Sequence, residues 1–235
     1  MSVARVRPGG RHLLRSSRLA ASIVADAGVR PGDLVLDLGA GSGMLTRALV
    51  DTGARVVAVE PDRRLGSALR RLPVTVLAAD ARELDWPGEP FRVVANLPFL
   101  HAAEICRRLL GDPCTPLVSA DVIVEWDFAA KRARLWPSTA QTVIWNAWYE
   151  LAVVRRLERR DFAPPPSVAG GVLRARRREV PLVRPADAAA WERFVRHGFR
   201  TEQGARERSP HAWALAFTSG RVRTVSGMTR RGRTR

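Results

Sequence analysis

The run Leu34-Val35-Leu36-Asp37-Leu38, followed at once by Gly39-Ala40-Gly41-Ser42-Gly43, constrains the fold more than any other feature of the chain. Five residues with one polar member read as a strand buried on both faces. The glycines after it allow a sharp turn and close approach of backbone to a ligand, and residues 43–52 then read as a helix. Upstream, Ser16 or Ser17 is placed to cap a helix whose apolar positions are Leu19, Ile23, Val24 and Ala27, with Gly28 closing it. Downstream, further strands are expected at residues 55–60, 74–78, 91–95 and 117–124, with helices at 63–72 and 102–110. Such alternation predicts an α/β fold, a parallel sheet wrapped on both faces.

After residue 124 the pattern changes. Residues 142–157 are apolar, contain Trp145, Trp148 and Tyr149, and hold no obvious helix breaker, so they read as one long strand. Phe162-Ala163-Pro164-Pro165-Pro166-Ser167-Val168 interrupts, and residues 171–175 read as a return strand. Beyond Arg176-Arg177-Arg178, helices are expected at 187–199 and around 213–217. The chain thus divides into a basic arm (1–15), a Rossmann-like domain (16–178), a small helical region suited to RNA docking (179–220) and a basic tail (221–235). That tail has six arginines and no acid, and is expected to be disordered when unbound.

Charge narrows the partners. The chain has 235 residues with 39 basic against 23 acidic, a net charge of +16, and Lys131 is its only lysine. A GC-rich genome would explain arginine replacing lysine but not the surplus of positive charge. The surplus attracts polyanions, and arginine adds bidentate phosphate contacts and stacking on bases, so nucleic acid is the expected partner. Trp126, Trp136, Trp145 and Trp148 can stack RNA, yet such residues more often fill a core. Cys106 and Cys114 match no metal-ligand spacing and read as a reduced pair. No apolar run reaches membrane-spanning length and no signal peptide is evident, so a cytoplasmic monomer with no metal is expected.

A glycine loop alone fits NAD, FAD or S-adenosylmethionine equally. Asp37, two residues before Gly39, tilts the choice, because a dinucleotide site needs a neutral approach to pyrophosphate. An acid there suits the amino-acid end of S-adenosylmethionine, reached through water. Glu60, closing the second strand, is placed to accept from two ribose hydroxyls. Asp80 in Ala78-Ala79-Asp80-Ala81 can accept from the cofactor's adenine amino group. Either acid alone reads as a solvated loop carboxylate; three at successive strand ends behind a glycine loop read as a site.

Asn96-Leu97-Pro98-Phe99 after the fourth strand is the sharper clue. An aromatic amine is a poor nucleophile because its lone pair is delocalised. A site that accepts both amino hydrogens, through the Asn96 side-chain oxygen and the Leu97 carbonyl, favours a more tetrahedral nitrogen and aims its lone pair. Pro98 fixes the turn, and Phe99 offers a face on which a base can stack once it has left its helix. Phe162 is a candidate for the opposite wall, or an ordinary core aromatic.

These residues resemble the Erm-type 23S rRNA adenine-N6 methyltransferases and their small-subunit dimethyladenosine transferase relatives, from about Gly10 to Arg178. The resemblance implies a class I S-adenosylmethionine-dependent methyltransferase with an antiparallel ending on its parallel sheet. It implies methylation of an adenine N6 in the peptidyl-transferase region of 23S rRNA, with resistance to macrolide, lincosamide and streptogramin B antibiotics. Gly39, Gly41, Glu60, Asp80, Ala81 and Asn96 fall on cofactor-contact positions. So do His12 and Leu14, in Gly10-Arg11-His12-Leu13-Leu14 where the family motif reads Gly-Gln-Asn-Phe-Leu; His12 thus replaces an asparagine. Phe99 stands where many members carry tyrosine. After Arg178 the chain departs from the family, whose helical domain docks RNA. The rivals are a 16S rRNA dimethyltransferase and a non-catalytic RNA-binding protein on this fold. A DNA adenine methyltransferase fits less well, because those tend to carry aspartate at the Asn96 position.

Overall fold

The computed structural model describes residues 12–134 and 136–229, with side chains to 220. The elements are β1 (Leu13–Leu14), α1 (Ser17–Ala27), β2 (Leu34–Leu38), α2 (Met44–Val50), β3 (Arg55–Val59), α3 (Arg63–Leu69) and β4 (Thr75–Leu77). They continue with β5 (Phe91–Asn96), α4 (Ala102–Gly111), β6 (Leu117–Glu125), α5 (Trp126–Arg132), α6 (Ala140–Asn146), β7 (Tyr149–Leu157) and β8 (Phe162–Ala163). The last are β9 (Gly170–Arg177), α7 (Ala188–Thr201) and α8 (Pro210–Thr229).

Seven strands form one sheet in the order β4-β3-β2-β5-β6-β9-β7. The first five run parallel; β9 lies antiparallel to both β6 and β7. The chain leaves β2 toward β3 on one side and returns to β5 on the other. The carboxyl ends of β2 and β5 are therefore the switch point, where open α/β sheets bind ligands. Strand pleating sorts neighbours to opposite faces. Val35, Val94, Ile123 and Val172 pack beneath α1 and α2. Leu36, Val93, Val122 and Leu173 pack with α4, α6, α7 and α8.

The caps of α1 are as expected: Ser16 accepts from the Leu19 amide, and Gly28 closes the helix in a left-handed conformation. The long strand expected over 142–157 is a correction. Its first part is α6, started by Thr139, whose side chain accepts from the Thr142 amide, and only β7 is extended. Helix α5 carried no clear sequence signal. The end of the basic arm is ordered, because β1 pairs antiparallel with β8; residues 1–11 lie outside the described part. The tail expected to be disordered from Arg221 continues α8 as far as Thr229, and residues 230–235 lie outside the described part. Both cysteines are free; Cys106 is buried, which pushes its thiol up to about 12, and Cys114 is exposed. Among the described residues no helix is long and apolar enough to cross a membrane, and no cluster of His, Cys, Asp or Glu could hold a metal ion.

Candidate active site

The carboxyl ends of β2, β3 and β5 open into a cleft lined by His12, Gly39, Gly41, Glu60, Asn96 and Pro98, among others. A smaller hollow beside it adds Leu14, Ser42 and Met44. Gly39 and Gly41 take φ of 72° and 56°, conformations that side chains resist. A Cβ on Gly41 would also stand 2.7 Å from Leu13 Cδ2, so the Leu13 side chain would have to shift to make room.

Glu60 is 2% exposed. Its Oε2 accepts from the Gly41 amide and its Oε1 from the Asp62 amide, both at 2.9 Å. It braces the glycine loop as well as facing the cleft. Asp37 is 1% exposed and accepts from the Thr46 hydroxyl at 2.6 Å. Burial pushes its carboxyl up to about 7; the Thr46 hydrogen bond opposes this and nearby Glu60 adds to it.

Asn96 is held by a contact that no local pattern announces. Its Nδ2 donates to the main-chain carbonyl of His12 at 2.7 Å, across 84 positions of sequence. Its Oδ1 is buried and has no hydrogen-bond partner among the described residues. Because Nδ2 is the donor and is engaged, the orientation of the amide is fixed, and an acceptor is left waiting for a donor. Leu97 is buried and its amide donates to the Ile123 carbonyl at 3.1 Å, which ties the turn to β6. Phe99 is half-buried, with the His12 ring at 5.4 Å and the Phe162 ring edge-on at 6.0 Å.

Phe162 does not form an opposite wall. It is fully buried, seated against Gly170, where a Cβ would come within 2.9 Å of its ring. It supports Phe99 from behind. Asp80 and Ala81 do not line the cleft either; they follow β4, two strands away from β2. Both Asp80 oxygens are taken up by Arg82, whose Nη2 reaches Oδ2 at 2.7 Å and whose amide reaches Oδ1 at 2.8 Å. Hydrogen bonds from that guanidinium hold the carboxyl below the usual carboxylate range. An ionised carboxylate still has lone pairs to offer an amine. Of the tryptophans, Trp145 and Trp148 are core residues, whereas Trp136 is 55% exposed and Trp126 lies under the Arg156 guanidinium at 4.8 Å. The sequence reading missed Arg82, Thr46 and the His12 link; only Arg82, two residues past a candidate acid, offered any signal.

Residues 7–219 match the family model described as ribosomal RNA adenine dimethylase. The chain is 35% identical over 199 residues to the mycinamicin-resistance protein MyrB of Micromonospora griseorubida, a match covering 80% of this chain and 62% of that one. It is 29% identical over 179 residues to an rRNA adenine N-6-methyltransferase of Bacillus licheniformis, covering 74% and 62%. The matches thus take in a little under two thirds of these relatives. Among solved structures, the 23S rRNA methyltransferase ErmE superposes with a TM-score of 0.73 at 30% identity, covering 87% of this chain and 84% of that one. A dimethyladenosine transferase from Plasmodium falciparum shares the fold with a TM-score of 0.69 at 22% identity, covering 85% and 76%.

Proposed function

Because the chain belongs to the ribosomal RNA adenine dimethylase family, we propose that it transfers methyl from S-adenosylmethionine to N6 of an adenine in the peptidyl-transferase region of 23S rRNA. The consequence would be resistance to macrolide, lincosamide and streptogramin B antibiotics. The observation that carries this reading is the buried, unpartnered Asn96 Oδ1 beside Phe99. A fixed acceptor near a half-buried aromatic ring suits a flat ring bearing an exocyclic amine. The MyrB and ErmE names favour the large-subunit target over a 16S rRNA substrate. The intact Asn96 geometry speaks against a purely binding role.

The residues fit the cofactor. Gly39 and Gly41 leave backbone room, Glu60 offers acceptors beside the cleft, and Leu14 supplies apolar lining. Bound there, the cofactor supplies a methyl group activated on a sulfonium. Asn96 Oδ1 and the Leu97 carbonyl orient the amine, while Phe99, backed by Phe162, carries the ring. Residues 179–220 we take as the RNA-docking region and the basic arm and tail as phosphate contacts, in a monomer working in the cytoplasm. Arginine contacts to phosphate displace counterions, so RNA affinity should fall steeply with salt. A loss of about 10³-fold between 50 and 200 mM is expected for six or more contacts, and a flat titration would remove the phosphate-contact assignment.

Asp37 gives the cofactor site its pH dependence. Between 3.8 and about 7 the folded chain keeps a proton on Asp37 that the unfolded chain has released. Stability contributed by this group therefore falls as pH rises across that window and levels off above it. A cationic cofactor favours the ionised form, so its affinity should rise toward pH 7 and then plateau. Asp37→Asn should bind more weakly and flatten that rise. Calorimetric titration from acid to alkaline pH checks this; an unchanged slope would show that Asp37 is not the group titrating.

The functional reading is tested by transfer of labelled methyl to protein-free 23S and 16S rRNA, with primer extension locating the mark. Label on a 23S adenine near the peptidyl-transferase centre is expected. Label confined to 16S rRNA would move the chain to the small-subunit enzymes, and none on either would overturn the proposed reaction.

A further inference from the structure

We propose that His12 is a catalytic residue that accepts, through Nε2, the proton released by the target amine; the proposal rests on the adenine-amine reading above. When the lone pair of N6 forms the new N–C bond, the C–S electron pair stays on sulfur as a thioether. The nitrogen then carries two hydrogens, the methyl and the ring, with a positive charge. One proton must leave to restore a neutral secondary amine. Asn96 Oδ1 and the Leu97 carbonyl accept hydrogen bonds, but amide oxygens do not hold a proton near neutrality.

Among the described residues lining the cleft, His12 and Glu60 alone carry titratable side chains. The oxygens of Glu60 hold the Gly41 and Asp62 amides, on the glycine-loop side. His12 stands on the other side, with its carbonyl on Asn96 Nδ2 and its ring beside Phe99. Its Nδ1 lies 2.9 Å from the Pro164 carbonyl. A carbonyl can only accept, so Nδ1 carries the hydrogen and the neutral ring keeps its lone pair on Nε2. No described residue hydrogen-bonds to that atom. The main chain on either side is pinned: Leu13 pairs with Ala163, and the Arg15 amide donates to the Asp161 carbonyl. The charged groups flanking it on the strand pair are Arg15 and Asp161, and Glu60 lines the same cleft. The asparagine that the family motif carries here could orient an amine but not take its proton.

The test compares kcat at saturating cofactor and RNA for the wild type and His12→Asn from acid to alkaline pH. Wild-type kcat should fall toward acid. The variant should be about tenfold or more slower at pH 8 and should lose that acid limb. Its affinity for S-adenosylhomocysteine is measured in parallel, so that any change in cofactor binding is separated from the change in kcat. Asp37 titrates as well, but its effect belongs to cofactor affinity and vanishes at saturation. Independently of turnover, nitrogen NMR of the His12 ring should show hydrogen on Nδ1 and none on Nε2 at alkaline pH. A purely structural role would change melting temperature and ligand affinity and leave the shape of the pH profile intact. A variant profile matching wild type, or a ring protonated at Nε2, would overturn the proposal alone. A wild type without turnover on either rRNA would overturn the functional reading and this proposal with it.

Discussion

Asn96→Ala is expected to lower kcat by about 10²–10³, the loss seen when one preorganised hydrogen-bonding group is removed from a reacting centre. The amine to be methylated has its lone pair delocalised into the ring, so catalysis depends on turning that lone pair out of conjugation and aiming it. Asn96 Oδ1 is fit for this because it is already desolvated and unpaired. The orienting hydrogen bond therefore displaces no competing partner. Its direction is set by the Nδ2 bond to the His12 carbonyl at 2.7 Å, so the amide need not reorganise as the reaction proceeds. Alanine removes the acceptor and leaves the His12 carbonyl unbonded, costing about 1 kcal/mol of stability, too little to unfold the chain. Melting temperature should hardly move, and cofactor affinity should change less than kcat. Initial rates of methyl transfer with the cofactor Kd measured in parallel decide the matter. A variant within a few-fold of wild-type kcat would show that the amine is oriented by other groups.

Legibility in the sequence followed the range of the interactions involved. Strand β2 falls on the residues expected because burial on both faces leaves an apolar run bounded by a turn on one side and glycine on the other. The ends of α1 were readable because Ser16 and Gly28 act on backbone groups a few residues away. Residues 142–157 misled because α6 and β7 are separated by Ala147 and Trp148, both buried, with neither glycine nor proline between them. A helix buried all round and a strand then look alike in hydropathy. Within the site, residue types were legible while their partners were not. Phe162 was readable as an aromatic near the pocket, but the space left by Gly170, eight residues on, is what lets it sink out of reach. The His12–Asn96 bond exists because β1 pairs with β8, an association of two-residue strands that no periodicity marks. Asp80 was read as a free acceptor because the Arg82 beside it in sequence could equally have pointed to solvent.

Trp213→Ala is expected to destabilise the whole chain, by about 3–5 kcal/mol, the usual range for deleting a buried tryptophan side chain. Trp213 is fully buried in α8. Its ring stacks on Phe199 at 5.5 Å and meets Phe194 edge-on at 5.8 Å, while its Nε1 donates to the Ala205 carbonyl. The fit is close enough that α7 has no side chain opposite it: a Cβ on Gly198 would stand 2.4 Å from the ring. Gly198→Ala should therefore also destabilise, by about 1–3 kcal/mol through overpacking. What distinguishes the outcome is cooperativity. Trp191, Val195, Trp213 and Phe217 belong to the same buried cluster as Leu36, Val93 and Leu173 of the sheet, with Trp145 and Trp148 between. Helices sharing a core with the sheet should melt with it, in one transition lowered by about 10 °C for a chain of this length. Scanning calorimetry reads this directly. A separate early transition, with S-adenosylhomocysteine binding intact above it, would make residues 179–220 an independently folding docking unit. A single lowered transition would mean that RNA docking and the methyl-transfer cleft are built on one cooperative core.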